Sequence, residues 1–292
     1  MPAPPPASVA PRPPDIIVKD FSDRYPVWFC DVWGVVHDGV RPFAPAVEAL
    51  ARHRANGGTV ILLTNSPRTR QGVERQLHEI GVARDSHDLI VTSGDVTRDL
   101  VRHHGGGKVF HLGPARDLSI FAGLDVARVP LDAARAVLCT GLFDDLHDRL
   151  EDYDGLLDDM RRRGLTMICA NPDRIVRKGD RLLYCAGTLA DLYAERGGAV
   201  LMAGKPYRPI YDLALAEAER LRGGPVPRPS ILAIGDGPET DIRGAAEFAI
   251  DAILVADGIT DASQGLAAVE ASVKAIVPGA RIVATVSALS WD

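Results

Sequence analysis

Four short segments of this 292-residue chain carry side chains suited to phosphate and a hard cation. Asp31, in FCDVWGVVHDG, closes a strongly apolar run. A carboxylate at the end of a buried strand costs desolvation energy unless a cation or hydrogen-bond donors meet it. Asp is also able to take a phosphoryl group as an acyl phosphate, and the following Gly34 lets the backbone turn tightly around whatever binds. Thr64 and Asn65, in LLTNSPRTR, offer a hydroxyl and an amide to a phosphate oxygen. Lys205, in AGKPYRPIY, can neutralise a phosphate as a point charge. Asp236 and Asp241, in IGDGPETDIRGA, lie on a glycine-flanked loop entering a helix. Close to Asp31 they would repel strongly unless a divalent cation sat among them, and hard oxygen ligands suit Mg²⁺. Each segment has a plainer alternative: Asp31 capping the next turn, Thr-Asn forming a turn, Lys205 as a solvated cation, an acidic helix cap at Asp236 or Asp241.

The elements that must position these groups are legible as short apolar runs. Residues 27–32, 59–64, 108–113, 136–141, 166–171, 230–236 and 252–258 predict strands buried on both faces, as in parallel sheets. Between them, 44–55, 69–80 and 207–222 place apolar groups on one helical face, with Gly57, Gly81 and Gly223 near their ends. The alternation predicts an α/β protein with a doubly wound parallel sheet, whose site lies beyond the carboxyl ends of the strands. Asp31, Thr64 and Asp236 stand at such ends. Residues between about 100 and 200 repeat the alternation without a comparable set and predict a second, smaller domain.

Composition narrows the partners. With 46% hydrophobic and 25% charged residues the chain is of ordinary globular type, and a net charge of −6 gives no basic footprint for nucleic acid. No run approaches a membrane span, so a small partner in the cytoplasm, with neither nucleic acid nor membrane, is expected. Cys30, Cys139, Cys169 and Cys185 are too few and too scattered for a disulfide framework and are expected to be reduced core residues. Residues 1–14 are proline-rich without an apolar signal region, predicting a flexible arm with order beginning near Asp15.

The ordered set Asp, Thr-Asn, Lys-Pro, Gly-Asp-x-x-x-x-Asp, each member following an apolar run, resembles the four motifs of the haloacid dehalogenase (HAD) superfamily. It is most similar to subclass IIA, the nitrophenylphosphatase and pyridoxal-phosphatase-like hydrolases. The resemblance covers about residues 27–100 and 200–258, and reaches the middle through ANPD (170–173) and AGTLADLYAERGG (186–198). It implies a Rossmann-like core (15–100 and 200–292) with an inserted α/β cap (101–199). It implies further that Asp31 is nucleophile and Mg²⁺ ligand, Asp236 a second ligand, and Asp241 a support of the metal site. Thr64 and Asn65 would hold the phosphate, Lys205 would balance charge, and Asn171 and Asp173 would reach the ligand from the cap, although Asn-Pro-Asp is also a good turn. Related caps often pair, so a homodimer through the cap is a further expectation.

One position departs from the pattern. The superfamily's phosphatases usually carry a second aspartate two residues after the nucleophile, as acid and base, and here that residue is Trp33. Indole has one N–H donor and no basic nitrogen. A backbone carbonyl at 33 can still serve as a metal ligand, as it does in the family. Three readings stay open: a slow or selective phosphatase for good leaving groups, using water, His37 or Asp38 as proton shuttle; altered chemistry in which the leaving group needs no proton; or a non-catalytic binder of a phosphorylated ligand. A two-component receiver is disfavoured by motif order. A Rossmann dehydrogenase lacks its glycine fingerprint, and the glycine run before Lys108 lacks the spacing of a phosphate loop.

Overall fold

Continuous apolar runs, buried on both faces, build the central layer. In the computed structural model, which describes residues 18–178, 181–256 and 265–292, the first strands are β1 (Val27–Cys30), β2 (Thr59–Thr64) and β3 (Leu89–Thr92). The middle of the chain supplies β4 (Lys108–Leu112), β5 (Ala127–Arg128), β6 (Ala136–Cys139), β7 (Thr166–Cys169), β8 (Ile175–Lys178), β9 (Arg181–Tyr184) and β10 (Val200–Met202). The chain then returns through β11 (Ile231–Gly235), β12 (Asp251–Val255) and β13 (Ile282–Val286). The expected arm at 1–14, and the start of order near Asp15, lie outside the described residues.

Six strands form one sheet in the order β13-β12-β11-β1-β2-β3, with every pairing parallel. Alternate residues enter opposite cores: Trp28, Cys30, Val60, Leu62 and Ile234 pack on one face, Val27, Phe29, Ile61, Leu63 and Ala233 on the other. The predicted helices are found at Ala44–Ala55, Arg70–Ile80 and Arg208–Arg222. The last buries Ile210, Tyr211, Ala214 and Ala218, while Leu221, expected on that stripe, stays exposed. All four cysteines are buried and free, as expected of core residues.

The order places a switch point between β1 and β11, where the chain leaves toward β2 on one side and returns on the other. Such a crevice is where ligands meet an open α/β sheet. Register does the rest: Cys30 pairs with Ile234 on one side and Leu62 on the other, so Asp31, Thr64 and Asp236 emerge at one edge.

The second layer is a five-stranded parallel sheet, β10-β7-β6-β4-β5, accompanied by the antiparallel hairpin β8-β9. β10 pairs with β7, so this sheet extends past the expected boundary at residue 199. The pairing partner is remote in sequence, and local pattern alone could not assign it. The helix Ser93–His104, capped by the Thr92 hydroxyl accepting from the Asp95 N–H at 3.0 Å, leads from β3 into this layer.

Candidate active site

Asp31 is fixed by its own backbone, whose N–H donates to the Ile234 carbonyl at 2.8 Å. The turn that follows requires glycine: Gly34 has φ +88°, and a Cβ there would stand 2.2 Å from Asp236 Oδ2. Backbone and carboxylate thus approach as closely as the missing side chain permits.

Lys205 ties the segments together. Its ammonium, 2% exposed, donates to Asp31 Oδ1 at 2.5 Å and Asp241 Oδ1 at 2.7 Å. Asn65 holds the lysine's backbone from both sides: Oδ1 accepts from the Lys205 N–H at 2.6 Å, and Nδ2 donates to the Lys205 carbonyl at 3.1 Å. Nδ2 also donates to Asp173 Oδ1 at 2.8 Å, linking the six-stranded layer to the turn that follows β7. The Asn65 side chain is therefore engaged in holding the Lys205 loop and Asp173. Thr64, also buried, accepts from the Ser66 N–H at 3.2 Å.

Asp241 Oδ2 accepts from the Gly237 N–H at 3.2 Å and the Thr240 hydroxyl at 3.3 Å. Asp236 is different: its Oδ2 is buried with no hydrogen-bond partner. Asp31, Asp236 and Asp241 each offer a carboxylate oxygen within 4.8 Å of the others. Three buried carboxylates and one ammonium leave excess negative charge in a place that water barely reaches, and a hard divalent cation fits both that imbalance and the orphaned oxygen.

The electrostatics agree. Burial, reinforced by the Asp241 charge, pushes the Asp31 carboxyl up to about 7, with Lys205 pulling the other way. Asp236 is driven well above the carboxylate range by burial and by Asp31 and Asp241. Burial opposes the Lys205 charge, yet Asp241 and Asp31 hold it well above its ordinary value. A bound cation would reverse the carboxylate shifts.

A cavity of about 740 Å³ opens over this floor, lined by Asp31, Trp33, Thr64, Asn65, Asp173, Lys205, Asp236 and Asp241 among others. Asn171 is not on it. That residue lines an adjoining cavity of about 400 Å³, and its Oδ1 accepts from the Asp173 N–H at 3.0 Å. Asp173 lines both cavities, whereas Asn171 lines only the smaller of the two.

The two substitute proton shuttles are otherwise engaged. His37 is buried, its Nδ1 accepts from the Gly39 N–H at 2.8 Å, and burial lowers its imidazole to about 4, which disfavours it as the proton shuttle. Asp38 lines the large cavity but accepts from the Val40 and Arg41 N–H groups at 2.9 and 2.8 Å. Sequence reasoning missed the hairpin wall, Ile175 and Val176, and the Arg174–Glu239 pair at 2.9 Å across the two layers. The signal for the hairpin was present: Gly179-Asp180 between two short alternating runs.

A Rossmann-like sheet with an acidic, lysine-bridged site at its switch point defines a class of hydrolase built around a strand-end aspartate. A profile of haloacid dehalogenase-like hydrolases matches residues 28–127, and a HAD-hydrolase-like profile matches residues 202–285. A solved haloacid dehalogenase-like hydrolase from Brucella suis is 51% identical, with TM-score 0.81 over 83% of this chain and 93% of that one. The chain belongs to the haloacid dehalogenase-like hydrolases, and its likeness to subclass IIA holds among the matches. The 4-nitrophenylphosphatase of Schizosaccharomyces pombe is 22% identical over 268 residues, 83% of this chain and 87% of that protein. Glycerol phosphate phosphatase from Mycobacterium tuberculosis, solved in complex with magnesium, shares the fold at TM-score 0.68 and 22% identity over 92% of this chain and 76% of that one. Among the described residues no helix is long and apolar enough to cross a membrane.

Proposed function

We propose that this hydrolase is a Mg²⁺-dependent phosphatase of a small phosphorylated metabolite, working through an aspartyl-phosphate on Asp31. The observation that carries the reading is the buried Asp31–Lys205–Asp241 bridge with the unpartnered Asp236 oxygen beside it. Asp31 and Asp236, with the Trp33 carbonyl, would hold the cation, and Asp241 would support the site. When bound, Mg²⁺ neutralises charge on the phosphoryl oxygens. Asp31 attacks phosphorus in line. Thr64 and the backbone held by Asn65 orient the phosphoryl group, and Lys205 offsets its charge. The second layer acts as the cap, and Asp173 bounds the substrate from that side.

Trp33 makes the enzyme slow or selective, because general acid–base assistance worth about 10² to 10⁴ in rate is not supplied at that position. Purified protein with Mg²⁺ is expected to release phosphate from 4-nitrophenyl phosphate. Chelation of the metal abolishes release, and Asp31→Asn lowers kcat by at least about 10³-fold. Metal-dependent binding of phosphate without any turnover favours the binder instead.

A further inference from the structure

Trp33 is built into its surroundings rather than merely filling a vacancy. Its ring meets His37 edge-on at 5.1 Å and 70°. Gly39 yields to it: a Cβ there would stand 2.6 Å from the six-membered ring of the indole. The residue lines both the large cavity over Asp31 and the smaller one beside it, so the indole forms part of the partition. Across the large cavity stand Val40, Phe43, Ile175 and Val176. Above the floor these apolar groups stand beside the charged side chains of Asp38, Arg41, Arg174 and Glu239.

The carboxyls facing that cavity are engaged. Asp38 is held by its own loop, Glu239 by Arg174, Asp241 by Lys205, and Asp173 by Asn65. Asp31 is the nucleophile and Asp236 faces it across the cation site. Each is thus tied to a partner or belongs to the candidate cation site.

We propose that Trp33 makes this site selective for phosphate esters of a conjugated, acidic hydroxyl, a phenol or an enol, carried on an apolar planar body that packs on the indole, Phe43 and Val176. The inference rests on the phosphatase reading and narrows it. In the first step an Asp31 carboxylate oxygen bonds to phosphorus and the P–O bond to the leaving group breaks. Its electron pair departs on the leaving oxygen as a resonance-stabilised oxyanion, with no proton from the protein. In the second, a water oxygen bonds to phosphorus and the P–Oδ bond breaks, restoring the Asp31 carboxylate. One water proton moves to a phosphoryl oxygen, so the product leaves as dihydrogen phosphate. Alkyl phosphates fail at the first step because an alkoxide cannot leave unprotonated.

The test is a substrate series with the full chain and Mg²⁺: 4-nitrophenyl, phenyl and phenethyl phosphate, the last an apolar alkyl ester of similar size. In the wild type kcat/KM is expected to fall by about 10² to 10⁴ from nitrophenyl to phenethyl, the size of the missing acid assistance. Trp33→Asp narrows that gap by raising the phenethyl rate. Trp33→Leu keeps the gap in kcat but raises KM for the aryl esters about two- to tenfold, the worth of a lost aromatic contact. Equal rates along the wild-type series overturn the inference. So does a shallow series that steepens in Asp173→Asn, because that result gives the proton to Asp173. No turnover of any ester, nitrophenyl included, overturns the phosphatase reading and this inference with it; turnover with a flat series overturns this inference alone.

Discussion

The two walls of the cavity are built on opposite principles. On the core side, Asp31, Lys205, Asp236 and Asp241 are 7%, 2%, 2% and 5% exposed, so their geometry is dictated by mutual charge and by backbone that cannot move. On the side of the second layer the hairpin contributes Ile175, 44% exposed, and Val176, and the Arg174–Glu239 link is more than half exposed at both ends. Buried charge demands one arrangement and makes error expensive. Exposed apolar surface tolerates many sequences at small cost.

That contrast predicts unequal responses. Lys205→Met removes the ammonium bridging two buried carboxylates and is expected to lower stability by about 3–5 kcal/mol in the metal-free protein, with Mg²⁺ recovering part of the loss in a urea titration. A loss under about 1 kcal/mol would mean that the core wall is no more constrained than the cap.

The core also carries a pH signature of its own. His53, stacked on Trp28 at 3.7 Å, and His87 are buried, and burial lowers both from 6.5 to about 4. The unfolded chain takes up these protons near 6.5 while the folded chain resists until about 4. Stability present above pH 6.5 is therefore lost as pH falls toward 4, by up to about 3 kcal/mol per histidine. Urea midpoints at pH 7 and pH 5 measure the loss, which should shrink in a His53→Asn, His87→Asn double variant. An identical loss in that variant would assign it to other groups, such as His37 and His111, which burial also lowers to about 4.

The smallest effect belongs to the cap wall. Arg174→Ala breaks two exposed pairs, to Asp191 and Glu239, and should change stability by less than about 1 kcal/mol. A thermal midpoint shift as large as that of Lys205→Met would erase the distinction between the walls.

Most of the core was legible because each strand announces itself locally. TVILLT is buried along its whole length, and the helix at Ala44–Ala55 ends where its apolar face ends. Asp31, Lys205, Asp236 and Asp241 were legible for a related reason: each ends an apolar run or follows one, and chain order linked them. What local pattern could not carry was pairing over distance. Val200–Met202 is a half-buried strand whose partner lies more than thirty residues earlier. The grip of Asn65 on the Lys205 backbone spans 140 positions. That Asp173 reaches the large cavity and Asn171 does not depends on how the turn sits against Asn65, 108 positions away, which no spacing encodes.

The central claim is that Asp236 is kept buried and unpartnered in order to bind a cation with Asp31. Thermal unfolding of wild type and Asp236→Asn, each with and without Mg²⁺, tests it most directly. Removing a crowded buried charge should raise the metal-free midpoint, while abolishing the further rise that Mg²⁺ gives the wild type. A variant that is less stable without metal, or that gains as much from Mg²⁺ as the wild type, would contradict the account.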